Sequence, residues 1–238
     1  LIISLTRERI KRSSDGIQAL IVAKTGPRVK EIIKLAEHAH IPIQYVNEDA
    51  IRKYEQDNKG VLLLVDESET RSQVDFYSWI HTVEEKPYLV VVLDHIEDPH
   101  NFGAILRSAD IFAVDLVVVP NKRNVKATDT VFKVSAGAAS YVPVAEVANI
   151  RDALLRLKEA GFWIYGADME GAPLIKTQFA QRTALVMGSE GTGLTPLIKK
   201  SCDELISIPQ FGHIDSLNVS VATGIMLYEI ACRHIHKE

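Results

Sequence analysis

The sequence predicts an α/β protein in two parts, a small N-terminal α/β domain followed by a larger domain on a mostly parallel sheet. Two observations predict it. Short, continuously apolar runs alternate with helical patterns along most of the chain, and a polar stretch at 66–86 separates two regions of that kind. The 238 residues suit one large or two modest domains, and 47% hydrophobic with 24% charged residues is the make-up of a globular chain.

In the first part, ALIVAK reads as a strand and PRVKEIIKLAEHAH as an amphipathic helix opened by Pro27. IPIQYV reads as a second strand, NEDAIRKYEQ as a helix capped by Asn47, and GVLLLVD as a third strand. Residues 66–86, DESETRSQVDFYSWIHTVEEK, have only scattered apolar positions and suit a linker or a short joining helix. This places a domain at 1–75, a linker at 76–87 and a second domain at 88–238.

From Tyr88 the runs YLVVVLD, AVDLVVVP, SYVPVAE, GFWIYGAD, TALVMGS and DELISIP are strands. They are separated by helical stretches such as NFGAILRSADIFA and NIRDALLRLKEA. Parallel sheets covered on both faces bind ligands at the carboxyl ends of their strands, so the loops after LVVVLD, TALVM and ELISI are the ones to read for chemistry.

Composition narrows the function. No run approaches the roughly 18 apolar residues of a membrane helix. The opening LIISLTRERIKRSSD meets charge too soon for a complete secretory signal, so a cytoplasmic protein is expected. Cys202 and Cys232 have no CxxC companion, which predicts reduced thiols and neither a disulfide nor a metal site. A net charge of −4 argues against a surface that coats nucleic acid. Two local basic patches stand out, Lys122, Arg123, Lys126 and Lys133 against Asp129, and Arg7, Arg9, Lys11 and Arg12 against Glu8. Each is either a solvated face or a phosphate contact.

After the LVVVLD run, Asp98-Pro99 makes a turn and Asn101 stands where a helix cap is expected. Gly103 and Arg107 then share a helix face, which suits a phosphate or a nucleotide sugar. The alternative is an Arg107–Asp110 pair beside a packing glycine. After TALVM, Gly188, Gly191 and Gly193 surround Glu190 without the order of a dinucleotide fingerprint or a P-loop. They imply unusual dihedrals or close ligand approach, or a plain surface turn. Ile208-Pro209 ends the last strand with a residue that donates no backbone hydrogen bond, leaving nearby carbonyls to a ligand. Asp215 or Ser216 is the expected cap of the final helix, with Ser216 and Asn218 near its positive end. That helix is apolar nearly all round, which requires burial in a core or a subunit interface.

The segments NFGAILRSA, LVMGSEGTGL, and ISIP with DSLNVSVA resemble, in this order, the three motifs of the SpoU family of RNA ribose 2′-O-methyltransferases, in the SPOUT superfamily. The resemblance covers about residues 88–235. The preceding unit looks like the ribosomal-protein-L30e-like substrate-binding domain of the 23S rRNA guanosine 2′-O-methyltransferases, although its opening is short and lacks a clear first strand.

The resemblance implies a catalytic domain with a C-terminal trefoil knot, a homodimer with the active site completed across the interface, and S-adenosylmethionine as cofactor. It puts Gly188, Ile208 and Leu217 at the cofactor with Met187 and Pro209 beside them, and makes Arg107 the central catalytic residue. Asn101, Glu190, Ser216 and Asn218 match the remaining polar motif positions, and Lys122, Arg123 and Lys126 are candidates for RNA backbone contacts. The reaction displaces a methyl from a sulfonium onto a ribose oxygen and needs mainly alignment and help in losing a proton. For a guanidinium, stabilising a developing alkoxide or holding a phosphate is a cheaper role than acting as base. The alternatives are a tRNA substrate, an antibiotic-resistance site on rRNA, or a non-enzymatic RNA-binding paralogue. The polar motif residues, all present, argue against the last.

Overall fold

The structure is a computed structural model. It describes residues 6–7, 10–11, 17–52, 60–65, 73–121, 131, 134–135, 138–213 and 216–235. The chain divides into two compact units, Leu1–Arg71 and Ser72–Glu238.

In the first unit, β1 (Ile17–Val22) lies between β2 (Ile43–Tyr45), its parallel neighbour, and β3 (Val61–Val65), its antiparallel one. The Pro27–His38 helix starts at its proline, which has no amide to leave unsatisfied, and buries Val29, Ile32 and Ala36 at helical spacing. These pack with Leu20, Val22, Ile41 and Val61 into one apolar core. Asn47 caps the Glu48–Arg52 helix as its spacing predicts, its Oδ1 accepting from the Ala50 amide at 2.8 Å. The expected continuation through 53–56 lies outside the described residues.

The second unit carries six strands: β4 (Tyr88–Leu93), β5 (Leu116–Pro120), β6 (Val144–Val147), β7 (Trp163–Pro173), β8 (Arg182–Met187) and β9 (Glu204–Ser207). They stand in the order β6-β5-β4-β8-β7-β9, and every pairing is parallel. Alternate side chains of β4 enter opposite cores. Leu89, Val91 and Leu93 join the Pro99–Ile111 and Val219–Ile235 helices, whereas Val90 and Val92 join the Ile150–Glu159 helix. The sheet is thus covered on both faces, which is why its strands are continuously apolar.

Residues 76–87, expected as a linker, instead belong to this unit. Asp75 caps a short helix, Phe76–Ile80, by accepting from the Ser78 amide at 2.7 Å, and Phe76 is buried in the second core, which also holds Val90 and Leu154. The spacing of Phe76, Trp79 and Ile80 carried that signal, diluted by the charges around it.

Burial pushes the Cys202 thiol up to about 12. Cys202 is therefore expected to resist iodoacetamide at pH 8 in the folded protein and to react only on unfolding, as read by mass spectrometry. Among the described residues, no helix is long and apolar enough to cross a membrane, and no group of three His, Cys, Asp or Glu could hold a metal ion.

Candidate functional site

The strand order creates a switch point between β4 and β8. From β4 the chain passes to β5 on one side, and from β8 to β9 on the other, so their following loops part over a crevice. The register pairs Leu93 with Met187, and the Asp94 amide donates to the Met187 carbonyl at 2.8 Å, so both loops leave at one level. Between them opens a cleft of about 530 Å³ lined by Asp94, His95, Asn101, Ser189, Glu190 and Thr192, among others.

Asn218 ties the three loop systems together. Its Nδ2 donates to Asn101 Oδ1 at 2.9 Å and to Glu190 Oε1 at 2.7 Å. Its Oδ1 accepts from the amides of Ser220 at 3.0 Å and Val221 at 3.3 Å, and from the Ser220 hydroxyl at 2.6 Å. Both ends of one amide are therefore used, one to open the last helix and one to hold two distant loops. Asn101 is buried, so its satisfied oxygen matters to the fold as well as to the site.

Two expected caps are corrected by this arrangement. Asn101 is not a cap: Asp98 opens its helix by accepting from the His100 amide at 2.9 Å, with Pro99 at the first helical position. The Asp-Pro pair carried that signal, since proline favours the position after the cap. The last helix is capped by Asn218 and not by Ser216, which is exposed and makes no hydrogen bond to another described residue. Asp215 lies outside the described residues. Nor is the last helix buried all round. Val219, Thr223, Met226, Leu227 and Ile230 face the core, while Val221, Ile225 and Tyr228 are 49%, 38% and 57% exposed.

The three glycines of the second loop do different work. A Cβ on Gly188 would lie 2.2 Å from the Gly193 carbonyl carbon and 2.4 Å from the Leu194 nitrogen, so the loop folds back onto bare backbone there. Gly191 and Gly193 have open space but adopt φ of +87° and +64°, which side chains disfavour. The turn closes through the Gly193 amide, which donates to the Ser189 carbonyl at 3.0 Å, and through the Ser189 and Thr192 hydroxyls 2.5 Å apart.

Of the other sequence-selected residues, Met187 is buried in the first core and Ile208 packs against it, Pro209 is half-buried, and Leu217 is 43% exposed. These four and Gly188 are not among the residues lining the cleft. Arg107 is exposed and bonds no other described residue, so the pairing with Asp110 that the spacing allows does not form. Gly103 is a packing glycine, since a Cβ there would meet Val134 Cβ at 2.8 Å and the Val131 carbonyl at 3.0 Å. Lys122, Arg123 and Lys126 lie outside the described residues.

Sequence reasoning missed two features. At the end of β4 the buried carboxylate of Asp94 accepts from His95 Nδ1 at 2.6 Å, in the cleft itself. At the end of β9 the Ser207 hydroxyl donates to the Gly171 carbonyl at 2.9 Å, where a Cβ on Gly171 would lie 2.4 Å from the Ile206 nitrogen. A glycine inside the long β7 run was the available signal for that close approach.

A parallel sheet covered on both faces, with a polar cleft at the switch point of its carboxyl edge, defines a ligand-binding α/β domain of the kind that hosts enzymes. The chain belongs to the SpoU rRNA methylase family, whose model matches residues 88–228. It is therefore a member of a family of RNA methyltransferases, as the three motifs imply. A protein of Borreliella burgdorferi described as an uncharacterized tRNA/rRNA methyltransferase is 41% identical over 218 residues, 88% of this chain and 96% of that one. Among solved structures, an AdoMet-bound rRNA methyltransferase from Sinorhizobium meliloti matches with TM-score 0.77 at 23% identity, over 98% of this chain and 85% of that one. The SpoU methyltransferase AviRb from Streptomyces viridochromogenes matches with TM-score 0.78 at 22% identity, over 99% and 88%. At these identities the structural matches establish a shared fold.

Proposed function

We propose that this protein transfers a methyl group from S-adenosylmethionine to the ribose 2′-hydroxyl of a specific nucleotide in RNA, with a guanosine of 23S rRNA as the first substrate to test. The observation that carries the reading is the amide of Asn218, which gathers one residue from each of the three motifs into a single hydrogen-bonded group.

The residues present suit the cofactor. Met187 and Ile208 offer an apolar wall for an adenine and a thioether, Leu217 leaves apolar surface exposed, and Gly188 keeps the wall free of a side chain. The carboxylate of Glu190 suits a sulfonium cation, and Asn218 fixes its direction. Pro209 withholds an amide, leaving neighbouring carbonyls for an amino group. S-adenosylmethionine would supply an electrophilic methyl; the chain's part is to align a hydroxyl with it and assist loss of the proton. Asn101 and Asn218 orient the loops, Ser216 offers a free hydroxyl, and Arg107 stabilises negative charge on the ribose oxygen or a phosphate.

An exposed arginine reaches a reacting atom most simply where a second copy covers it. Val221, Ile225 and Tyr228 leave an apolar stripe exposed, and Ile111, one turn beyond Arg107, is 66% exposed. This supports a homodimer whose interface completes the site. The trefoil knot, an L30e-like role in RNA binding for the first unit and a cytoplasmic location belong to the same reading.

Incubation with labelled S-adenosylmethionine and both rRNA and tRNA, followed by mapping of ribose methylation, tests the proposal. Methylation of a 23S rRNA guanosine is expected. Methyl transfer to tRNA alone overturns the rRNA assignment, and binding of RNA without transfer overturns the enzymatic one. Changing Lys122, Arg123 and Lys126 to alanine is expected to weaken RNA binding and to reduce the slope of log K against log salt by about one for each phosphate no longer neutralised, as read by titration at several salt concentrations. An unchanged slope removes them from the interface.

A further inference from the structure

Resting on the methyl-transfer reading, we propose that His95, held by the buried carboxylate of Asp94, is the base that receives the 2′-hydroxyl proton, with Arg107 confined to stabilising charge. Three observations carry it. First, His95 Nδ1 donates to Asp94 Oδ1 at 2.6 Å, and the Asp94 side chain is only 4% exposed against 44% for His95. A buried carboxylate bonded to Nδ1 fixes the proton there, which leaves the lone pair of a neutral ring on Nε2, the form a base requires. No other described residue bonds the ring, so Nε2 is available.

Second, His95 has a φ of +62°, in the left-handed region that costs a side-chain-bearing residue free energy. Two other described residues without glycine's freedom share it, His40 at +55° and Ala113 at +52°, and both follow directly on a helix end, where a left-handed residue closes the last turn. His95 follows a strand and closes no helix. Its left-handed backbone therefore does not serve to end a helix.

Third, His95 and Asp94 line the same cleft as Asn101 and Glu190, the two residues that Asn218 holds together, whereas Arg107 is not among the lining residues. The charged groups lining that cleft are Asp94, Glu97 and Asp98 from the loop of His95 itself and Glu190 from the facing loop. All are carboxylates, so among these lining groups His95 is the only one with a ring nitrogen to offer as a base.

The step balances without a further reagent. The proton of the ribose hydroxyl passes to His95 Nε2, the oxygen's electron pair forms the bond to the methyl carbon, and the carbon–sulfur bond breaks with its pair onto sulfur, leaving a neutral thioether. The imidazolium then loses its proton to water. Asp94 acts through His95 and is a positioning residue.

His95→Asn is the decisive variant, because asparagine tolerates the left-handed region and can still bond Asp94, yet offers no base. With an RNA that the native protein methylates, turnover is expected to fall by about 10²-fold or more, in line with the contribution of a general base. The affinity for S-adenosylmethionine by calorimetry should be unchanged. The native rate is expected to fall in acid, where a base is occupied by a proton, and that fall should be absent from the variant. Nitrogen NMR of the native protein should show the His95 proton on Nδ1, and Asp94→Asn should move part of it to Nε2. A His95→Asn protein that turns over within about threefold of the native one overturns the inference, as does an Nε2-protonated ring in the native protein. A native protein that methylates no RNA would instead sink the methyl-transfer reading beneath it.

Discussion

Replacing Arg107 with alanine is expected to lower turnover by about two to three orders of magnitude, the usual loss when one preorganised donor to a developing oxyanion is removed. Affinity for S-adenosylmethionine should stay within about a factor of three, because Arg107 is exposed and bonds none of the described residues of the glycine loop or of the segment after β9. Arg107→Lys restores the charge but not the planar fork of donors and should recover only part of the rate. Single-turnover kinetics at saturating cofactor, with calorimetry on the same preparations, separate the two effects. Equal losses in turnover and in cofactor affinity would remove Arg107 from the reacting centre.

Gly188→Ala is expected to have the opposite signature. The new Cβ would meet the backbone of Gly193 and Leu194 at 2.2–2.4 Å, and backbone atoms cannot swing aside as a flexible side chain does. The loop must move or the strand end must bend, at a cost of about 1–3 kcal/mol by the general scale of overpacking. Displacing the loop also carries Glu190 away from Asn218. Cofactor affinity should therefore drop steeply, and thermal unfolding of the second unit should begin at a lower temperature. An alanine variant that binds S-adenosylmethionine with unchanged Kd would show that this loop is not part of the cofactor wall. Gly191→Ala is the control, since it meets no neighbouring atom and suffers only from its φ of +87°.

The strands and long helices were legible in the sequence because burial on both faces of a parallel sheet writes continuous apolar runs that polar helix surfaces interrupt. What could not be read locally was decided by long-range packing. Asn101 has the chemistry of a cap, but the helix starts one step after Asp98 because Pro99 is already suited to its first turn. Gly103 one helical turn before an arginine reads equally as ligand space or close packing, and only Val131, Val134 and Ser135, each with an atom 2.8–3.1 Å from a Cβ there, decide for packing. The final helix reads as apolar all round, yet the sheet reaches one side alone and leaves Val221, Ile225 and Tyr228 outward. His95 carried no pattern at all, since its significance lies in a backbone angle and a neighbour's burial. Arg107, Glu190 and Asn218 were selected through the motifs; the geometry supplied the bonds between the latter two and Asn101.

The hydrogen bond from Asn218 to Asn101 joins residues 117 positions apart, and the one to Glu190 joins residues 28 apart. Contacts this far apart in sequence form late, after the intervening strands have found their places. During synthesis at typical rates, Asn101 emerges on the order of ten seconds before Asn218 can reach it. In that interval the helix bearing Asn101 lacks Met226 and Leu227, which later share its core. A nascent chain can thus hold strands β4 to β8 and still have no assembled centre, so the ability to modify RNA arrives only once the segment bearing Asn218 has been made.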